Sequence, residues 1–147
     1  MAPNLLLLVN AAATWFMVGL IWFVQIVHYP LFSAVGERGY TAYQIQHMNL
    51  TGAVVGPPMV IEAITALWLV VSPPPQAARW ELPLAPVLLV VIWIATALWS
   101  VPRHGVLALG FDAEAHTALV VSNWVRTILW TLRGALVGAC LWRGLNA

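Results

Sequence analysis

Four apolar stretches, Leu5–Val27, Leu50–Val71, Leu82–Val101 and Thr117–Leu141, decide what this chain can fold into. Each runs to about 20 residues or more, the length at which an α-helix crosses a hydrocarbon layer about 30 Å thick. No water reaches backbone groups in such a layer, so each run must pair its amides internally and is expected to be helical. A membrane barrel would instead show alternating segments of about 10 residues, and the sequence contains none. Only 7% of the 147 residues are charged, against about 25% in soluble domains, so a surface of ordinary polarity cannot be built. The expected fold is an all-α integral membrane protein, one domain over 1–147, forming an antiparallel four-transmembrane-helix bundle. Its helices fall at approximately 5–28, 40–72, 82–101 and 112–142.

Ala11-Ala12-Ala13 loosely imitates a signal-peptide cleavage site. No basic residue precedes it and the apolar run continues well beyond it, so the first run is expected to remain as a spanning helix. All six cations are Arg and the net charge is +1, which gives no basic patch and no case for nucleic acid. Cys140 is the single cysteine, so no internal disulfide can form.

The connections are short, so neighbouring helices should run antiparallel and both termini should lie on one side. Pro30 is expected to end the first helix, and Tyr40–Asn49 reads as a helical lead into the second. Pro73-Pro74-Pro75 makes a stiff spacer, and Pro102, Gly105 and Gly110 mark Pro102–Phe111 as the third connection. Asp112 has the position of an N-cap for the last helix. Arg79 and Arg143 on the terminal side balance Arg38 and Arg103 opposite. Arginine counting therefore hardly orients the chain, and cytoplasmic termini are the expectation.

The polar residues are not scattered. His28 ends the first helix, His47 opens the second, His104 follows the third and His116 opens the fourth, so all four meet at one end of an antiparallel bundle. At about 100° per residue, Tyr40, Tyr43, Gln44, His47 and Thr51 form one stripe, which continues to Glu62 about 60° away. Gly56-Pro57-Pro58 is expected to kink this helix. Glu62 then sits near mid-bilayer, where an ionised carboxylate needs a partner. The expected partner is Arg126, with Arg133 about 20° away on the same face. His116, Asn123, Thr127 and Trp130 follow one face of the last helix, and Gln25 with His28 look inward from the first.

Each feature has a plain and a chemical reading. Glu62 and Arg126 form a structural pair, or serve substrate or proton chemistry with Asn123 orienting a carbonyl. The histidines cap interfaces, or His28 and His47 with one of His104 or His116, together with Glu62, form a metal site for Fe, Cu or Zn, with Gln25 and Tyr43 beside a cofactor. Trp80, Trp99 and Trp142 are expected as interfacial belt residues. Trp15, Trp22, Trp93, Trp124 and Trp130 are expected deeper, filling the core or lining a flat pocket. Gly134 and Gly138 permit a close helix contact or a dimer.

Trp22…His28-Tyr29-Pro30, Tyr43…His47, Gly56-Pro57-Pro58-Met59…Glu62 and Asn123-Trp124-Val125-Arg126-Thr127 resemble the anthrone-oxygenase-like family of small bacterial membrane proteins. The layout is also similar to four-helix membrane protoporphyrinogen oxidases and copper-resistance membrane domains. These resemblances imply a bacterial inner-membrane location and redox chemistry on a lipophilic or planar small molecule, with haem or copper in the latter two. The haem-pathway oxidases carry a His early in the first helix and a later Lys, where this chain has Asn10 and no Lys at all. A haem here would rest on His28 and His47. The function expected is therefore a membrane oxidoreductase or oxygenase. The alternatives are a non-catalytic accessory subunit of a larger membrane complex and a small proton or solute transporter. A homo-oligomer or larger complex suits each.

Overall fold

A computed structural model of the chain describes residues 3–146; residues 1, 2 and 147 of the single-domain reading lie outside them. Among the described residues there are only helices and connections, arranged as four rods. The first is α1 (Pro3–Phe23), continued by a π turn at Val24–His28 and a 3-10 turn at Pro30–Ala34. The second is α2 (Tyr40–Val71). The third joins α3 (Glu81–Ala95), a π turn at Thr96–Ser100 and α4 (Val101–Leu107) without a break. The fourth is α5 (Ala113–Leu145).

The local reasons are visible in the chain. Gly39 has φ +94°, a left-handed backbone that residues with a Cβ rarely adopt, and α2 starts directly after it. Asp112 caps α5 as expected: its backbone is extended and its Oδ1 accepts from the Ala115 amide at 2.7 Å. The third rod departs from expectation. Pro102 and Gly105 lie inside it, and it ends at Leu107, so His104 sits within the rod's last turn instead of following it. The physical reason is the π turn just before Pro102, which shifts the hydrogen-bond register and accommodates a residue without an amide donor. Pro57 and Pro58 likewise sit inside an unbroken α2.

α1 packs against α2 and α5, and α3 packs against α5 and α2. Met17, Ile21, Val24, Phe32, Ile92, Leu107, Leu119 and Trp130 form the main buried cluster. A Cβ on Gly134 would stand 3.0 Å from a Val18 methyl, and one on Gly138 would stand 3.6 Å from the Trp15 ring. The small-residue stripe is thus used for the close α1–α5 contact within the chain. Trp130 is fully buried, but Trp15, Trp22, Trp93 and Trp124 are 39–51% exposed. Their place is the outer surface, which corrects the core role expected of them, while Trp93 also lines an apolar cavity with Leu67, Pro86 and Leu89.

Among the described residues, three helices are long and apolar enough to cross a membrane: Pro3–Ala34, Tyr40–Val71 and Pro83–Leu107. α5 is not one of them; it carries Asn123, Arg126, Thr127 and Arg133, all buried against the other rods. The outward surface is apolar, with Leu8, Phe23, Ile64, Leu67, Leu98 and Leu132 each more than half exposed.

Candidate functional site

Three polar layers follow one another along the interior, and α5 contributes to each. The first lies where the π turn of the first rod, the start of α2 and α4 come together. Phe32, wholly buried, stands at its centre. The rings of His28, His47, His104 and His116 surround it at centroid distances of 5.3, 4.9, 6.2 and 6.3 Å. The sequence expectation that the four histidines gather is met.

His28 Nε2 and His47 Nδ1 are 2.8 Å apart, a hydrogen bond in which one ring donates and the other accepts. The Thr51 hydroxyl also reaches His47 Nδ1, at 3.1 Å. His104 is held at both nitrogens, by the Tyr29 hydroxyl at 2.9 Å and the Gln44 side-chain amide at 2.8 Å. Its ring centroid lies 5.1 Å from that of His47. His116 reaches the Tyr29 carbonyl at 2.8 Å. Tyr43 lies nearly parallel to His47 at 6.5 Å, so the stripe Tyr40–Gln44–His47–Thr51 does face this layer.

The second layer centres on Asn123. Its amide donates to Gln25 Oε1 at 2.9 Å, and its Oδ1 accepts from Arg126 Nη1 at 3.0 Å. Gln25 Nε2 donates to the Val120 carbonyl, so Gln25 ties the first rod to α5 and does not reach the histidines. Arg126 Nη1 also donates to Ser100 Oγ at 3.0 Å, and its guanidinium lies 5.4 Å from the Trp130 ring. Gln25 and Ser100 both come from π turns, elements that recur at functional sites because they redirect side chains.

The third layer holds Glu62, and here the expected pairing is overturned. Its carboxylate pairs with Arg133, not Arg126: Arg133 Nε stands 2.6 Å from Oε1, and both side chains are fully buried. Thr14 donates to Oε1 at 2.7 Å and the Trp130 indole to Oε2 at 3.2 Å. Arg133 spends its other donors on the Ala85 carbonyl and on Asn10 Oδ1. Asn10 in turn donates to the Glu62 carbonyl and to Thr65. Depth along the rods explains the choice. Glu62 lies 15 residues beyond His47 and Arg133 17 beyond His116, about 22 and 25 Å from the histidine layer at 1.5 Å per residue. Arg126 is 10 residues beyond His116, about 15 Å down and a full turn short.

The ligand set His28, His47, His116 and Glu62 is therefore not assembled, since Glu62 belongs to another layer. Among the described residues, no group of three His, Cys, Asp or Glu side chains is placed to hold a metal ion. The remaining donors do not fit one either. His28 Nε2 and His47 Nδ1 point at each other, His104 has both nitrogens engaged, and Phe32 stands between the rings.

Phe32 and Ser100 were not singled out by the sequence, and Tyr29 entered only as part of the His28-Tyr29-Pro30 motif. Phe32 and Ser100 carried no signal. No protein-family model, curated protein or solved structure matches the chain.

Proposed function

We propose that the chain is an antiparallel four-helix integral membrane protein that acts as an oxidoreductase or oxygenase-like enzyme on a lipophilic small molecule at its histidine-bearing end. The membrane reading is supported by the apolar outward surface and by an interior where polar groups are paired within the chain. Exposed apolar area on this scale is unusual for a water-soluble monomer. The antiparallel arrangement is supported by cross-links at opposite ends of the same two helices: His28 with His47, and Asn10 with Thr65.

The observation that carries the chemistry is the 2.8 Å bond between His28 and His47. In such a bond one ring donates and the other accepts, so the donating ring keeps a second nitrogen free to take a proton. The neutral pair takes a proton from an acidic hydroxyl or activated C–H of the bound molecule at the nitrogen left free, then returns it to the product or to water. Tyr43 and Phe32 exclude water around the pair. The resemblance to anthrone-oxygenase-like proteins supports a hydroxyaromatic substrate with dioxygen as the oxidant from outside: the anion left at carbon gives its electron pair to dioxygen, one oxygen atom becomes the new carbonyl, and the other leaves as water with the two hydrogens lost from that carbon. Glu62, saturated by three donors, contributes structure to this scheme and no proton transfer.

The test is dioxygen uptake by the protein in a mild uncharged detergent with an anthrone as substrate. Uptake lost in His47→Phe and His28→Phe, with unchanged thermal unfolding, supports the reading. Wild-type uptake no greater than that of the detergent blank, or undiminished uptake in both variants, overturns it.

A further inference from the structure

Among the described residues, Arg126 is a buried cation without an anion. It is 8% exposed, and Nη1 alone of its nitrogens makes hydrogen bonds, to the neutral oxygens of Ser100 and Asn123. Its Nε is buried with no partner. The acids of this chain are all accounted for elsewhere. Glu62 is taken by Arg133 and Glu81 by Arg143, while Glu37, Asp112 and Glu114 are exposed at the connections and the start of α5. A guanidinium out of water is stable only with charge neutralisation and filled donors, and the Trp130 face supplies a small part of that. The other orphaned buried polar atoms, the Tyr40 hydroxyl and Gln44 Oε1, lie in the same half of the molecule. Gln44 holds His104, which is one helical turn from Ser100, the partner of Arg126.

We infer that Arg126 receives an anionic oxygen, the carboxylate or phenolate head of an amphiphilic ligand whose apolar body lies among the surrounding helices. Guanidinium suits this task, since its Nε and a terminal nitrogen form a fork that matches a two-oxygen head. Nη1 fixes the fork by its bonds to Ser100 and Asn123, leaving Nε for the ligand. The inference deepens the proposed reaction, because it names the charge of the molecule brought to the histidine layer, but the binding it describes does not depend on turnover.

The test is a binding titration by tryptophan fluorescence in uncharged detergent, with no oxidation step. The probes are laurate, 1,8-dihydroxyanthrone above its phenol pKa, and methyl laurate as the neutral control. The expected result is that one or both anions bind, methyl laurate binds at least about 30-fold more weakly, and Arg126→Gln loses the difference. Which anion binds separates a fatty-acid-like ligand from a hydroxyaromatic one. Equal binding of laurate and its ester, or no binding of either anion, overturns the inference. Because the ester comparison uses the unaltered protein, an unstable Arg126→Gln leaves the inference testable. His47→Phe should bind the anions normally. Wild-type protein that discriminates the anions but takes up no oxygen sinks the enzyme reading alone, and wild-type uptake without anion discrimination sinks this one alone.

Discussion

Glu62 and Arg133 form an ion pair with no solvent exposure on either side chain, and each is saturated by neutral partners from the other rods: Thr14 and Trp130 on the carboxylate, Asn10 and Ala85 on the guanidinium. This single contact ties α2 to α5 and, through Asn10 and Thr14, to α1.

Removing one partner strands a charge in the interior. Glu62→Leu or Arg133→Met should each cost about 3–5 kcal/mol, measured as a fall in unfolding temperature in detergent. The double variant should lose less than the sum of the two. Arg143→Gln, whose guanidinium reaches water beside Glu81, should shift unfolding least of all. Additive single effects would remove the pair from the account of stability.

The α1–α5 contact gives a sharper steric test. Gly134→Leu drives atoms into Val18, a β-branched residue with little rotamer freedom in a helix, and should cost about 1–3 kcal/mol. Val18→Ala should restore part of that. Gly138→Ala, facing the Trp15 ring at an ordinary 3.6 Å, should be neutral or stabilising. Equal effects at both glycines would count against the close approach.

Four histidines at one end invite metal or haem, and the geometry argues for neither. Protein purified in mild detergent should show no Soret band and no stoichiometric Fe, Cu or Zn. Phe32→Ala, which empties the space between the rings, should gain Zn affinity over wild type. About one metal equivalent in the wild type, lost in His28→Ala/His47→Ala, would reverse this view of the layer.

Asp112→Ala removes the cap of α5 and should cost about 1 kcal/mol, read from thermal unfolding. The contact to the Ala115 amide is exposed, so no larger effect is expected.

Much of the architecture was legible because the bilayer-length apolar runs and Asp112 leave few alternatives. The stripe from Tyr40 to Thr51 and the meeting of His28 with His47 followed from helical spacing and short connections. The partner of Glu62 did not, since Arg126 and Arg133 share a face of α5 and angle alone cannot separate them. Counting depth from the histidine layer along both rods selects Arg133. The π turns were illegible: nothing in Val24–His28 or Thr96–Ser100 sets them apart from ordinary apolar helix. They explain why Pro102 does not end its rod and how Gln25 and Ser100 come to face α5.

Both interior arginines lie on α5, the rod made after the other three. On the membrane reading, a lone helix with two such residues near its middle enters lipid against a penalty of about 2.5–3.5 kcal/mol for each. The three more apolar rods meet no such obstacle. α5 is then a late arrival that depends on hosts already in place: Glu62, Thr14 and Asn10 must be waiting for Arg133, and Ser100 for Arg126. Insertion of the last rod becomes a checkpoint on the first three.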